Sequence, residues 1–144
     1  MSVAPDTFSR GEIVLHVCAT CRPDGGPDAT EDRPGSILHR ALADALAARA
    51  AAGAPLPVRV EAVKCLSVCK RPCTVAVTAP DRWTYVWGDL DPAMHVDEIL
   101  DGIARYAASA DGVVPWRERP QIFKTGVVAR IPPFPTPVSR DAAE

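Results

Sequence analysis

Residues 64–73 read KCLSVCKRPC and hold three of the chain's five cysteines. The other two, at positions 18 and 21, lie in the stretch VCATC (17–21), so every cysteine belongs to one of two short clusters. Cysteines that only fill an apolar core are not expected to cluster in the sequence in this way. Clustered thiols in a chain with an odd cysteine count and no export signal favour metal or redox chemistry over a disulfide framework.

The length and charge of the chain limit the classes of function. Its 144 residues are enough for one domain with a real hydrophobic core. A formal net charge of −2 provides no basic surface for nucleic acid or for an anionic membrane. No apolar run approaches the roughly 20 residues of a membrane span, and the first residues lack the pattern of a secretory signal. We expect a cytoplasmic protein that binds neither nucleic acid nor membrane.

Hydrophobic periodicity predicts the element order β-α-β-β-β-α. Alternating or β-branched apolar residues predict strands over 12–18, 58–64, 74–80 and 82–88. Apolar residues at helical spacing predict one helix between Ser36 and Gly53, and a second from an N-cap at Asp91 to about Ser109.

The composition changes after Gly112, where six of the chain's fifteen prolines follow. We therefore predict an N-terminal tail over 1–11, an α/β domain with a mixed sheet over 12–110, and an extended Pro-rich arm over 111–144.

The two cysteine clusters are predicted to meet at one edge of the sheet. A β-α-β unit crosses over right-handed with parallel strands, so the carboxyl ends of both strands point the same way. Cys18 ends the first strand, and Cys65 directly follows the second. Open α/β sheets usually bind ligands at this edge. The loops CATC and CLSVC would then combine four sulfurs in a tetrathiolate site.

This pattern resembles the thioredoxin-like [2Fe-2S] ferredoxins, which include the small iron–sulfur subunit of respiratory NADH dehydrogenase. The resemblance lies in the element order, the cysteine pair after the first strand and the C-x3-C of CLSVC after the second. It implies a thioredoxin-like fold over 12–110 and a one-electron carrier, not an enzyme, that exchanges electrons with redox protein partners. The implied ligands of a single [2Fe-2S] cluster are Cys18, Cys21, Cys65 and Cys69.

The chain also departs from that ferredoxin pattern. Its first pair is C-x2-C, where the ferredoxins usually have a wider gap, and Cys73 has no counterpart among four ligands. The combination of CATC with CLSVCKRPC also resembles a family of bacterial predicted metal-binding proteins of unassigned role. We interpret Cys73 either as a buried thiol at the start of the third strand or as an alternative ligand.

Other uses of the same thiols remain open. Four thiolates also suit structural zinc, although zinc sites usually bring their two pairs closer together in sequence. A thiol–disulfide oxidoreductase normally places its C-x-x-C at the start of a helix, whereas RPDGGP (22–27) follows here. Buried structural thiols are a third alternative. His16 lies two residues before Cys18 on the same strand face, which raises the alternative of a mixed Cys/His site.

Two further features concern contacts with partners. Four basic residues flank the predicted ligands, either as solvated charges or as a basic collar that docks an acidic redox partner: Arg22, Lys64, Lys70 and Arg71. Trp83, Tyr85 and Trp87 form an aromatic stripe on one strand face, which either packs against a helix in the core or, if both helices lie on the other side, needs another cover. We predict that residues 113–135 cover it, or its equivalent in a homodimer, through the anchors Val114, Trp116, Ile122, Phe123 and Ile131.

Overall fold

The computed structural model describes residues 12–20 and 33–133. Its elements are β1 (Ile13–Cys18), α1 (Pro34–Ala51), β2 (Val58–Val63), β3 (Val75–Thr78), β4 (Thr84–Trp87), α2 (Val96–Ala108), a 3₁₀ turn (Trp116–Glu118), α3 (Gln121–Thr125) and β5 (Val127–Ile131). The predicted order β-α-β-β-β-α is confirmed for the first six elements. The predicted N-terminal tail, 1–11, lies outside the described residues.

The strands form one mixed sheet in the order β2-β1-β3-β4-β5. β1 and β2 are parallel, as predicted, and every other neighbouring pair is antiparallel. In the parallel pair Cys18 lies opposite Val63, so both strands end at the same edge of the sheet. The residues that follow these two strands are therefore neighbours in space.

The first long helix begins near its predicted start, whereas the second begins several residues later than predicted. Pro34 opens α1 at its first turn, where a missing N–H costs nothing, and Gly53 follows its end with φ at +89°. The Asp91 carboxylate accepts hydrogen bonds from the Ala93 and Met94 N–H groups. These bonds close a turn, and α2 begins later than predicted, at Val96. None of the helices in the described part of the chain combines the length and apolar content that crossing a bilayer needs.

The hydrophobic core lies on one face of the sheet, beneath both α1 and α2. Leu15, Val77 and Tyr85 are aligned across the sheet on this face, and each is at most 1% exposed. Leu38 of α1 and Ile103 of α2 belong to the same buried cluster. Because the two helices share one side, the aromatic stripe points toward them and is part of this core.

The segment after α2 differs from the predicted extended arm. Residues 121–131 form α3 and β5, and β5 extends the sheet by pairing with β4. VVARI is short and is followed by two prolines, so its β-branched residues gave a weak strand signal. The segment nevertheless covers the stripe in part, because Val114 and Phe123 are buried whereas Trp116 and Ile131 are more than half exposed.

Candidate metal centre

The loops that follow β1 and β2 are joined directly, as the sequence predicts. The Ala19 N–H donates to the carbonyl oxygen of Val63 over 2.8 Å. The Thr20 hydroxyl donates to the carbonyl oxygen of Lys64, the residue immediately before Cys65. These two bonds place the backbone that carries Cys18 beside the backbone that carries Cys65.

Cys65 and Cys69 belong to a single exposed loop and line one shallow concave surface. The concavity has a volume of about 510 Å³, and both cysteines are exposed there. The backbone N–H of Ser67 donates to the Cys65 sulfur over 3.2 Å, and Ser67 adopts a left-handed backbone with φ at +61°. A backbone N–H directed at sulfur stabilises a thiolate, because the hydrogen bond favours the charged form. The loop therefore presents two thiols and one donor on the same surface.

Cys18, the last residue of β1, is buried against the first turn of α1. It is 3% exposed, and its carbonyl oxygen lies against Gly35, where a Cβ atom would overlap it. The Ser36 hydroxyl donates to the Ala19 carbonyl oxygen over 3.0 Å. The first turn of α1 thus packs on the Cys18 loop and directs the positive end of its dipole toward that loop.

Cys73 is a buried thiol at the start of β3, as one of the two interpretations predicts. It is 1% exposed. Burial, together with the neighbouring Cys18 and Asp91, raises the pKa of the Cys73 thiol to about 11. Burial and a raised pKa make this thiol less reactive than an exposed cysteine.

His16 lies on the sheet face opposite the helices. Its Nε2 atom is 3.4 Å from the Thr78 hydroxyl, and Glu61 is its neighbour across the sheet. Desolvation by burial lowers the pKa of the imidazole, although the Glu61 carboxylate raises it. These contacts describe an ordinary sheet-face residue.

The described cysteines supply the donor chemistry of an iron–sulfur or zinc centre. Cys65 and Cys69 are exposed thiols without a disulfide partner, and Cys18 lies on the adjoining loop. Cys21, the fourth predicted ligand, lies outside the described residues. Within 12–20 and 33–133, no three Cys, His, Asp or Glu side chains converge closely enough to hold a metal ion. The described cysteines therefore fit such a centre in donor type and in the placement of their loops.

The described basic residues beside the cysteines divide into two kinds, and Arg22 lies outside the described residues. Lys64 and Lys70 are exposed. Arg71, in contrast, is ion-paired to Asp89 with 2.8 Å between Nε and Oδ2, and it also donates to backbone oxygens. Sequence reasoning missed this role, because the partners of Arg71 lie 18 to 56 positions away in the chain.

Comparison with known proteins agrees with this architecture. Residues 15–133 match the family described as "Protein of unknown function (DUF1636)". The chain belongs to the DUF1636 family. The match begins inside β1 and ends just after β5, so the matched region includes the fifth strand. No curated protein matches this DUF1636 chain.

Solved structures identify the fold of this DUF1636 protein as thioredoxin-like. A thioredoxin-like [2Fe-2S] ferredoxin from Aquifex aeolicus is 16% identical, with a TM-score of 0.55 over 85% of this chain and 94% of the ferredoxin. A cysteine-to-serine variant of that ferredoxin is 17% identical, with a TM-score of 0.53 over 81% and 98%. A second such variant is 18% identical, with a TM-score of 0.51 over 81% and 98%. The predicted thioredoxin-like α/β fold is thereby confirmed.

Proposed function

We propose that this protein is a ferredoxin, a one-electron carrier that holds a single [2Fe-2S] cluster through the thiolates of Cys18, Cys21, Cys65 and Cys69. The observation that carries the proposal is the joining of the two cysteine loops by the Ala19 and Thr20 hydrogen bonds at one sheet edge. Four thiolates from two such loops are the usual ligand set of a [2Fe-2S] centre.

The fold and the cysteine spacing support the same proposal. The solved structures of similar fold are named as [2Fe-2S] ferredoxins. The two serine variants among them replace cysteines four positions apart, which is also the spacing of Cys65 and Cys69. Cys65 and Cys69 are exposed, so a centre bound there would lie at the surface, where an electron can pass to a docked protein.

The surrounding groups are suited to the negative charge that arrives with an electron. When bound, a [2Fe-2S] cluster accepts and releases one electron. The Ser67 N–H donates to the Cys65 sulfur, and the first turn of α1 directs its positive dipole end at the Cys18 loop. Lys64 and Lys70 add two exposed positive charges beside the ligands. Each of these groups favours the reduced state, since each stabilises added negative charge.

The partners in this proposal are a reductase and an electron acceptor, and the compartment is the cytoplasm, where thiols stay reduced. Lys64 and Lys70 would contact an acidic patch on each partner. Arg71 is excluded from this role because Asp89 neutralises its charge.

Anaerobic purification and spectroscopy test the proposal. A ferredoxin would be red-brown, contain iron and acid-labile sulfide in equal amounts, bleach with dithionite and give an EPR signal only when reduced. A colourless protein that contains zinc without sulfide would overturn the proposal in favour of a zinc protein. A metal-free protein that cycles between a disulfide and a dithiol would overturn it in favour of an oxidoreductase.

A further inference from the structure

Arg71 links the cysteine loop to the C-terminal segment of the chain. Its Nε atom donates to the Asp89 carboxylate over 2.8 Å. Its two terminal nitrogens donate to the carbonyl oxygens of Val127, at 3.2 Å, and Thr125, at 3.0 Å. One guanidinium therefore contacts the residues after β4, the end of α3 and the start of β5.

Hydrogen bonds also hold the backbone of Arg71 in place. Its N–H donates to the Val68 carbonyl oxygen, inside the cysteine loop, over 3.0 Å. Its own carbonyl oxygen accepts from the Asp89 N–H over 2.9 Å and from the Thr74 hydroxyl over 3.0 Å. The Arg71 carbonyl oxygen lies so close to Gly88 that a Cβ atom at that position would overlap it, so this contact requires glycine. Arg71 is thus held on both sides, two residues after Cys69 and two before Cys73.

We propose that Arg71 is a positioning residue that makes the geometry of the loop 65–73 depend on the C-terminal residues 125–127. The consequence for a bound cluster rests on the proposed function, whereas the coupling itself does not. The C-terminal segment then acts on the cysteines without touching them. A protein that binds or displaces β5 would alter the cysteine loop through the same contact.

The geometry requires arginine and not merely a positive charge. A guanidinium presents a planar fork of N–H donors that meets three acceptors at once, whereas an ammonium is a compact point charge. The Arg71 side chain is 33% exposed, and the two carbonyl oxygens that it satisfies belong to the last residue of α3 and the first residue of β5. Replacement of Arg71 by lysine removes the planar set of N–H donors and leaves the Thr125 and Val127 carbonyl oxygens without this donor. Lysine is therefore not an adequate substitute.

The test uses Arg71→Gln, Arg71→Lys and the milder Asp89→Asn, with Arg49→Gln as the matched control. Arg49 also donates to a carboxylate over 3.0 Å, that of Asp101, but it joins α1 to α2. In the metal-free full-length protein, mass spectrometry follows alkylation of Cys73 and deuterium exchange of the Arg71 and Asp89 amides. A free small-molecule thiol, N-acetylcysteine, serves as the reference for the intrinsic alkylation rate, because Cys65 and Cys69 lie in the loop under test.

We expect both Arg71 variants to accelerate Cys73 alkylation and the two amide exchanges about tenfold, the change that corresponds to losing about 1.4 kcal/mol of local stabilisation. Asp89→Asn is expected to act in the same direction by less, and Arg49→Gln to leave these rates unchanged. Rates unchanged in the Arg71 variants, or full rescue by Arg71→Lys, would overturn the proposal.

Cluster measurements extend the test and separate it from the proposed function. In protein that contains the cluster, Arg71→Lys is expected to shift the midpoint potential and the EPR line shape, whereas Arg49→Gln is not. Unchanged potential and line shape alongside faster exchange would overturn the link from the loop to the cluster. Absence of any cluster in the wild-type protein would overturn the ferredoxin proposal, and the exchange and alkylation rates would still decide the role of Arg71.

Discussion

The ring of Phe123 lies flat on the indole of Trp87, with 3.7 Å between ring centroids and 3° between the planes. Trp87 in turn stacks on Tyr85, at 5.2 Å between centroids. A residue from the C-terminal segment therefore completes an aromatic column that begins at Tyr85 on β4. The segment is part of the hydrophobic core, because removing it would expose Trp87.

Replacement of Phe123 by alanine should destabilise the whole domain. Phe123 is 2% exposed, so its truncation leaves a cavity and costs about 3–5 kcal/mol of unfolding free energy. Urea denaturation followed by tryptophan fluorescence measures this loss. Ile131→Ala is the matched control, because Ile131 is 51% exposed and its truncation should cost no more than about 1 kcal/mol. Similar losses for both variants would show that the segment does not contribute to the core as described.

Gly35→Ala should separate α1 from the Cys18 loop. The new Cβ would overlap the Cys18 carbonyl oxygen, so the first turn of α1 or the loop has to move. We expect a loss of about 1–3 kcal/mol of unfolding free energy, together with weaker retention of metal. Ala41→Ser, in the same helix, is a control for a small side-chain change. An alanine variant with wild-type stability and metal content would contradict the close contact between Gly35 and Cys18.

Cys73 should make the metal-free protein less stable in alkaline solution. The pKa of Cys73 is about 11 in the folded chain, against an ordinary value of 9.0. The unfolded chain therefore loses the Cys73 proton at a lower pH than the folded chain does. The stabilisation that the protonated Cys73 contributes is fully present below about pH 9 and is lost as the pH rises to about 11. At about pH 10 the loss amounts to about 1 kcal/mol. Chemical denaturation at about pH 8 and pH 10 should show a smaller decline for Cys73→Ser than for the wild type.

Lys64 and Lys70 should control the reaction of the reduced protein with charged oxidants. Both are exposed beside the cysteines, so replacing both with glutamine removes local positive charge. Stopped-flow oxidation by the anion ferricyanide should then slow several-fold and lose part of its dependence on ionic strength. A cationic cobalt complex should react faster with the same variant. Rates that respond to neither substitution nor salt would contradict a basic collar.

Much of the fold could be read from the sequence because its signals are local. The alternation of Ile13, Leu15 and Val17 marks β1, and the handedness of a β-α-β unit makes β1 and β2 parallel without further information. The meeting of the CATC and CLSVC loops follows from that single rule. The burial of Cys73 is likewise consistent with its place at the start of an apolar strand.

The features that escaped prediction depend on contacts between distant residues. β5 is an edge strand whose pairing with β4 is a tertiary event, and its short VVARI stretch is followed directly by prolines. The bonds from Arg71 to Thr125 and Val127 span more than 50 positions, so the sequence indicates only a solvated charge or part of a docking collar. Neither relationship has a periodic pattern that a reading along the chain would detect.

The most direct test of the central claim is the iron and sulfide content of five single variants in which each cysteine is replaced by serine. If one centre bridges the two loops, substitution at Cys18, Cys21, Cys65 or Cys69 should abolish or sharply reduce iron and sulfide, while Cys73→Ser retains both. Loss confined to the cysteines of one loop, or loss in Cys73→Ser with retention in Cys65→Ser or Cys69→Ser, would contradict a cluster shared by both loops.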